Sequence, residues 1–151
     1  MRQSEIEKQR IVAIMKAVEP AYLATCDGDQ PRVRPVTPIV EDDMSIWIGT
    51  HSHTRKVKQI EQNPKVCLAF VQPPYSARGE KVAMVIGEAK IIPKIKEKKR
   101  FWDLWRRVYK AVDLERLFPG GPKSKEFCLL KIIIKKIEWH EEEGKKKIYE
   151  P

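Results

Sequence analysis

A short segment in the middle of the chain concentrates hydroxyl and cationic side chains at the start of a predicted helix. It runs from Thr50 to Lys56 and reads Thr-His-Ser-His-Thr-Arg-Lys. The first N–H groups of a helix lack internal partners and lie at the positive end of the helix dipole, so they attract anions. Arg55 and Lys56 add charge, and the hydroxyls add neutral donors. The segment predicts a phosphate site or, alternatively, an ordinary helix cap with both cations in solvent.

A second candidate lies upstream, where residues 31–39 mix arginines with prolines and β-branched residues. Alternate residues of an extended segment share a face, so Arg32 and Arg34 lie on the same side. Pro35 and Pro38 cannot donate to a sheet ladder, which confines this strand to an edge or a bulge. A ligand lying along the strand would use both arginines. Alternatively, the arginines point to water and the prolines protect an edge.

Hydrophobic periodicity defines the elements that must position these residues. Ile11, Ile14, Met15 and Val18 recur at helical spacing, which predicts an N-terminal helix within residues 1–19 that ends before Pro20. A short helix is predicted at 54–62, and residues 94–118 form a helical insertion that begins after a proline. Runs typical of strands lie at residues 21–26, 32–40, 44–50, 65–71, 82–92 and 127–139.

The order of these elements indicates the fold class. The strands are joined mostly by hairpins, and the regular βαβ alternation of a parallel sheet is missing. The pattern therefore indicates a mainly β fold, an antiparallel barrel of about six strands with flanking helices. A chain of 151 residues is long enough for one such core, so we expect residues 1–151 to form a single domain.

Composition narrows the class of partner. Lysine and arginine number 30 against 21 aspartates and glutamates, so the formal net charge is +9. That balance suggests an anionic partner, although the lysine-rich runs at 94–100, 123–125 and 145–147 are also typical of solvated faces. The longest apolar runs are far shorter than the roughly 18 to 20 residues that span a bilayer. The first residues lack the apolar core of a signal peptide, so we expect a cytoplasmic protein.

The cysteines and histidines do not form a recognisable metal motif. Cys26, Cys67 and Cys128 are far apart and outside any Cys-x-x-Cys spacing, so we expect buried reduced thiols. His51 and His53 supply two potential ligands without a third at suitable spacing, and we expect no metal site.

Four motifs occur in an order that resembles the pyridoxamine 5′-phosphate oxidase-like family, the FMN-binding split barrels. They are the Arg-x-Arg-Pro-Val strand, the Thr-x-x-x-Thr-Arg-Lys turn, the Asn-Pro-Lys-Val helix stop and the Val-Ile-Gly strand, and the similarity covers residues 20–92. The resemblance implies a six-stranded antiparallel split β-barrel with peripheral helices. It also implies a homodimer with FMN, or the deazaflavin coenzyme of some members, at the subunit interface.

The resemblance assigns roles within the candidate site. It implies that Arg34 contacts the flavin nucleotide and that the backbone at Val36 and Thr37 approaches the isoalloxazine ring. It implies that Thr50 and the Thr-Arg-Lys turn cradle the phosphate. Arg32 and Ser52 belong to the same two segments and are added to these residues. The candidate cofactor-binding residues are therefore Arg32, Arg34, Val36, Thr37, Thr50, Ser52, Thr54, Arg55 and Lys56.

Departures from the family pattern limit the expected activity. Ile39 stands where the oxidases proper have a lysine, and Val82 stands where they have a flavin-facing glutamine. Residues 139–141 do not reproduce their C-terminal substrate motif. We therefore expect an FMN-dependent oxidoreductase acting on a small molecule other than the vitamin B6 phosphates, without naming a catalytic residue.

Two other functions remain open from the sequence. One is a flavin or deazaflavin carrier or sensor without turnover, and the other, which we favour less, is a basic nucleic-acid-binding barrel that places Arg32, Arg34 and the lysine runs on phosphates. The helical insertion also leaves two roles open for Trp102 and Trp105. They either pack in the core or close the cofactor site of a partner subunit.

Overall fold

The computed structural model describes residues 2–73, 80–142 and 145–151 of the chain. Within these ranges the elements are α1 (Gln3–Lys16), β1 (Ala21–Asp27), β2 (Gln30–Val36), β3 (Ile39–Val40), β4 (Ile46–His51), α2 (Arg55–Gln62), β5 (Lys65–Gln72), β6 (Lys81–Ile92), α3 (Ile95–Val108), α4 (Leu114–Leu117), a 3-10 turn (Gly121–Lys123), β7 (Phe127–His140) and β8 (Lys147–Tyr149). None of the helices in these ranges combines the length and apolar composition needed to cross a membrane.

The strands form one antiparallel sheet in the order β2-β1-β5-β6-β7-β4-β3, with β8 added to β7. The sheet curls into a split barrel with flanking helices, which confirms the predicted fold class. The predicted strand at 32–40 divides into β2 and β3, and β8 was not predicted, so the strand count rises from about six to eight in the described ranges. Strand β2 lies at one end of the sheet, as its prolines predicted.

The concave face of the sheet holds the main core. Helix α1 closes this core, and its Ile11, Ile14 and Met15 are buried as the helical spacing predicted. On β1, Ala21, Leu23 and Thr25 are buried while the residues between them are more exposed. Because residues directly opposite each other in a sheet share a face, the partners of these three residues on β2 also point inward. Those partners are Val36, Arg34 and Arg32.

A second core lies on the convex side, where α3 and α4 cover β4 and the start of β7. It consists mainly of aromatic side chains, including Trp47, Phe101, Trp102, Trp105, Phe118 and Phe127. Gly49 permits this packing, because a Cβ atom there would lie 2.6 Å from Trp105 Cζ3 and 2.8 Å from Phe101 Cε1. Helices α3 and α4 of the predicted insertion therefore pack against the sheet.

Part of the basic run at 94–100 anchors α3 to the sheet. The Arg100 guanidinium donates to both Glu41 carboxylate oxygens at 2.8 and 3.0 Å, and Trp47 Nε1 donates to the same carboxylate at 2.7 Å. Lys98 Nζ donates to the backbone carbonyl of Phe127 at 3.0 Å. These two cations serve the fold, which leaves fewer charges of the run free for an external partner.

Candidate functional site

The chain turns from β4 into α2 at the corner where the sequence predicted an anion site. Thr54 is the N-cap of α2, but its hydroxyl donates to the His51 carbonyl at 2.9 Å and makes no capping bond to the helix. The first N–H groups of α2 therefore have no side-chain acceptor at the cap. Unpartnered amides at the start of a helix form a site that attracts an anion.

Arg34 points from the edge strand β2 towards this corner and is held in place by two hydrogen bonds. Its Nη1 donates to the Leu23 carbonyl and its Nη2 to Gln59 Oε1, both at 3.0 Å. The side chain is half-buried, and burial, together with the charge of Arg32, holds the pKa of the guanidinium below its usual value. The two contacts fix the direction of the guanidinium before any ligand binds.

Gln59 and Thr25 form the buried support behind Arg34. Thr25 Oγ1 donates to Gln59 Oε1 at 2.6 Å, and the two residues are only 2% and 6% exposed. Neither residue was among the predicted site residues. The only signal in the sequence is that Gln59 is polar and lies next to Ile60, on the inward face of the amphipathic α2.

Lys56 provides the second cation of the corner. Its ammonium is half-buried, and burial and then the charge of Arg34 lower its pKa. Within the described residues, neither Lys56 nor Arg34 forms a salt bridge with a carboxylate. Two partly desolvated positive charges without a counter-ion are stabilised by an anion, so this pair, which we call the cation corner, suits a phosphate.

The other predicted charged residues lie further from this arrangement. Arg32 shares the inward face of β2 but is exposed, and its Nη1 lies 3.9 Å from Asp27 Oδ2. Arg55 is exposed on the first turn of α2. Both can add long-range attraction, but neither is held as Arg34 is.

The predicted hydroxyl donors divide into two groups. Ser52 Oγ donates to the Lys125 carbonyl at 3.0 Å, and Thr54 donates within its own turn, so both protons are already used by the backbone. Thr50 is buried on β4, directly opposite Cys128. The Cys128 thiol lies near Lys56, and the charge of this lysine acts on the pKa of the thiol. Burial raises the pKa of the Cys128 thiol, and this cysteine is buried as expected. Cys26 and Cys67 were also expected to be buried, but both are only partly buried.

The remaining candidate residues lie at the end of β2 and in α3. Val36 is buried, and Thr37 is exposed in the connection that follows β2. Trp102 and Trp105 are 3% and 8% exposed within their own aromatic cluster. This is the core-packing role that the sequence left open, and their rings have little free surface for a partner's site.

The histidines of the turn belong to the convex side of the sheet. The His51 ring lies 4.3 Å from the Phe118 ring and 5.3 Å from the His53 ring, measured between centroids. In the described ranges, no group of three or more His, Cys, Asp or Glu side chains has an arrangement that could hold a metal ion.

Replacing Gln59 with leucine should weaken the binding of a phosphate ligand at the cation corner by about tenfold, because Arg34 loses one of its two anchors. Thr25→Val is the matched control. It removes the neighbouring hydroxyl but keeps the bond between Arg34 and Gln59, so it should lower the free energy of unfolding with little effect on affinity. FMN titration and urea unfolding of both variants measure the two effects. Equal losses of affinity in the two variants would contradict the positioning role of Gln59.

Comparisons with known proteins agree with this architecture. A protein-family model described as pyridoxamine 5′-phosphate oxidase matches residues 8–141. No curated protein matches the chain by sequence. The structure is similar to general stress protein 26 of Bacillus anthracis, with a TM-score of 0.71 and 21% identity over 96% of this chain and 98% of that chain.

Two further solved structures share the fold. A NimC/NimA family protein of Clostridium acetobutylicum has a TM-score of 0.72 and 22% identity over 98% of this chain and 94% of that chain. A heme-binding protein of Mycobacterium smegmatis has a TM-score of 0.72 and 15% identity over 99% of this chain, and the match spans 59% of that protein. At these identities the similarity shows the fold alone.

Proposed function

Because the chain belongs to the pyridoxamine 5′-phosphate oxidase family, we propose that it binds FMN with the phosphate at the cation corner and acts as a flavin-dependent oxidoreductase on a small molecule. The observation that carries this proposal is the pair of half-buried cations, Arg34 and Lys56, without carboxylate partners in the described residues. Such a pair is costly to maintain unless it binds an anion.

Different residues of the chain would bind different parts of FMN. Lys56 and the first amides of α2 would neutralise the phosphate, while Arg34, fixed by Gln59, would contact the nucleotide beside it. The backbone at Val36 and Thr37 would lie against the ring. Bound FMN supplies hydride acceptance, and the protein supplies orientation and electrostatics.

The substrate would differ from the vitamin B6 phosphates. Ile39, where the oxidases proper have a lysine, is 5% exposed and belongs to the aromatic core under α3. It therefore offers no charge to a substrate phosphate. The position at which this chain differs from the oxidases proper is thus occupied by a side chain that packs in the core.

We also propose that two copies of the chain form the working unit. The convex face of β1, β2 and β5 carries exposed apolar side chains, with Tyr22 46% exposed and Val33 67% exposed. Ala24, Cys67 and Ala69 lie on the same face, since they pair with each other or with Tyr22 across the sheet. A second copy covering this surface would remove apolar area from water and would close the cofactor groove next to the open edge.

Val33→Glu should convert the dimer into monomers and weaken FMN binding by about tenfold or more, because a carboxylate would be buried in an apolar interface. Analytical ultracentrifugation measures the mass, and FMN titration measures the affinity. Asp29→Asn, at the exposed turn of the β1–β2 hairpin, is the control and should stay dimeric. A Val33→Glu variant that remains a dimer would contradict the proposed interface.

The visible spectrum of the purified protein, followed by mass spectrometry of the molecule released by heat, tests the cofactor. A flavin spectrum would support FMN as the cofactor. A deazaflavin spectrum would show that the protein binds that coenzyme in place of FMN, and a Soret band would indicate heme. A colourless protein that does not take up FMN but is retained by nucleic acid at low salt would favour the basic-barrel alternative. Bleaching of the bound flavin by a reduced nicotinamide, and its reoxidation by a specific acceptor, separates an enzyme from a carrier.

A further inference from the structure

A cavity of about 460 Å³ lies between the C-terminal end of α1, strand β3 and the C-terminal end of α3. Its volume is in the range of small-molecule sites. Pro38 lines the cavity and directly follows Thr37, the residue proposed to approach the flavin ring. The cavity is separate from the cation corner, because none of the residues that line it belongs to β2 or α2.

The walls of the cavity combine apolar side chains with the polar side chains of Lys16, Glu19 and Tyr109. Met15 and Val18 line it from α1 and the turn beyond, and Ile39 and Val40 line it from β3. Tyr109, the half-buried residue at the end of α3, brings a phenol group to the same space. An apolar wall with a small number of convergent polar groups is typical of a site for one small organic molecule.

The charges around the cavity leave one carboxylate uncompensated. Lys16 also lines the cavity, but its ammonium forms an ion pair with Asp42, which is not a lining residue. Glu19 lines the cavity at its exposed rim and has no salt bridge within the described ranges. The Tyr109 phenol lies against Glu19, and burial first, then the Glu19 charge, raises the pKa of this phenol. Tyr109 is therefore a neutral hydrogen-bond donor beside a carboxylate, and the pair attracts a cation.

We propose that this cavity binds a small molecule with an apolar or aromatic body and one protonated amine, the amine lying at Glu19 and Tyr109. The assignment of this molecule as the redox substrate rests on the proposed function, because it relies on the flavin ring lying beside Thr37. The binding site itself rests only on the cavity, the apolar side chains in its walls and the Glu19 carboxylate, which has no salt bridge in the described ranges.

Calorimetric titration of the flavin-free protein with three indole compounds tests the site. Tryptamine carries an ammonium, tryptophol a neutral hydroxyl and indole-3-acetate a carboxylate on similar skeletons. We expect tryptamine to bind about tenfold or more tightly than tryptophol, and indole-3-acetate to bind most weakly. Glu19→Gln should abolish the preference for tryptamine, whereas Glu115→Gln, an exposed carboxylate on α4, should retain it. Equal binding of the three compounds, or a preference that survives in Glu19→Gln, would overturn the proposal.

A second titration separates this site from the proposed cofactor function. Tryptamine added to the flavin-loaded protein should shift the visible spectrum of the flavin if the cavity lies beside the ring. A spectrum that stays unchanged although tryptamine binds would overturn the role of the ligand as a redox substrate. A protein that binds tryptamine at Glu19 but takes up no flavin would overturn the proposed function and leave the amine site standing.

Discussion

Lys56→Met should weaken FMN binding by about tenfold to hundredfold, the largest effect on affinity that we expect from a single substitution. In the proposed site the lysine would contribute a charge-assisted hydrogen bond to the phosphate, and such bonds contribute about 1.5–3 kcal/mol. The nearby Arg34 guanidinium cannot replace it, because two of its nitrogen atoms are already bound to Leu23 and Gln59. Quenching of flavin fluorescence on binding gives the dissociation constant.

The same substitution should leave the flavin-free protein at least as stable as the parent chain. Burial and Arg34 lower the pKa of Lys56 from its ordinary value of 10.5, so the folded chain binds this proton more weakly than the unfolded chain does. The cost of the charge is therefore present at every pH below the lowered pKa and disappears as the pH rises towards 10.5. The gain in stability from methionine should shrink over the same pH range.

Thermal unfolding of Lys56→Met across that pH range, with Lys58→Met as the control, tests both expectations. Lys58 is exposed on the same helix, so its replacement should change neither affinity nor stability appreciably. Arg55 is also exposed, and its replacement by alanine should cost less affinity than that of Lys56. Unchanged FMN binding in Lys56→Met would contradict the proposal that the cation corner binds the FMN phosphate.

Gly87→Ala should destabilise the fold by more than about 4 kcal/mol and leave little folded protein. A Cβ atom at this position would lie 2.0 Å from the Ile133 carbonyl oxygen and 3.0 Å from the Ile133 carbonyl carbon. Both atoms are backbone atoms in the neighbouring strand, at the point where the register between β6 and β7 shifts. Relief of the clash requires these two long strands to separate.

Gly28→Ala provides the matched comparison for Gly87→Ala. Gly28 has a φ of +61° in the hairpin turn, but no atom lies within 4 Å of the position of a Cβ. The cost there is that of a left-handed backbone alone, about 1 kcal/mol. Urea unfolding of the two variants should differ by several kcal/mol in the free energy of unfolding, and similar values would show that β7 can move away from Gly87.

The sequence was sufficient to predict features that depend on local patterns. The spacing of Ile11, Ile14 and Met15 placed α1, because an amphipathic helix shows which face it buries. Asp27-Gly28-Asp29 placed the β1–β2 hairpin, and Pro35 placed β2 at an edge, since both act through the backbone of the same few residues. The motifs in the sequence showed a resemblance over residues 20–92, and the family model matches a longer range, residues 8–141.

Features that depend on contacts between distant residues were not predictable in this way. Thr25 and Gln59 meet across 34 positions of sequence, so no local pattern shows that they support Arg34. Ser52 was expected at the phosphate, but its hydroxyl bonds to the Lys125 carbonyl, 73 positions away. The small clusters of polar groups that tune a site depend on such encounters, and only the folded chain displays them.

The prolines of β2 also determine how molecules of this protein can associate. Pro31 and Pro35 are four residues apart on the outermost strand, and neither has an N–H group to offer to an incoming chain. The two ring nitrogens interrupt the row of donors that strand-by-strand polymerisation would need. The open side of the barrel is thereby protected from fibril growth at high protein concentration, even when no ligand or second subunit covers it.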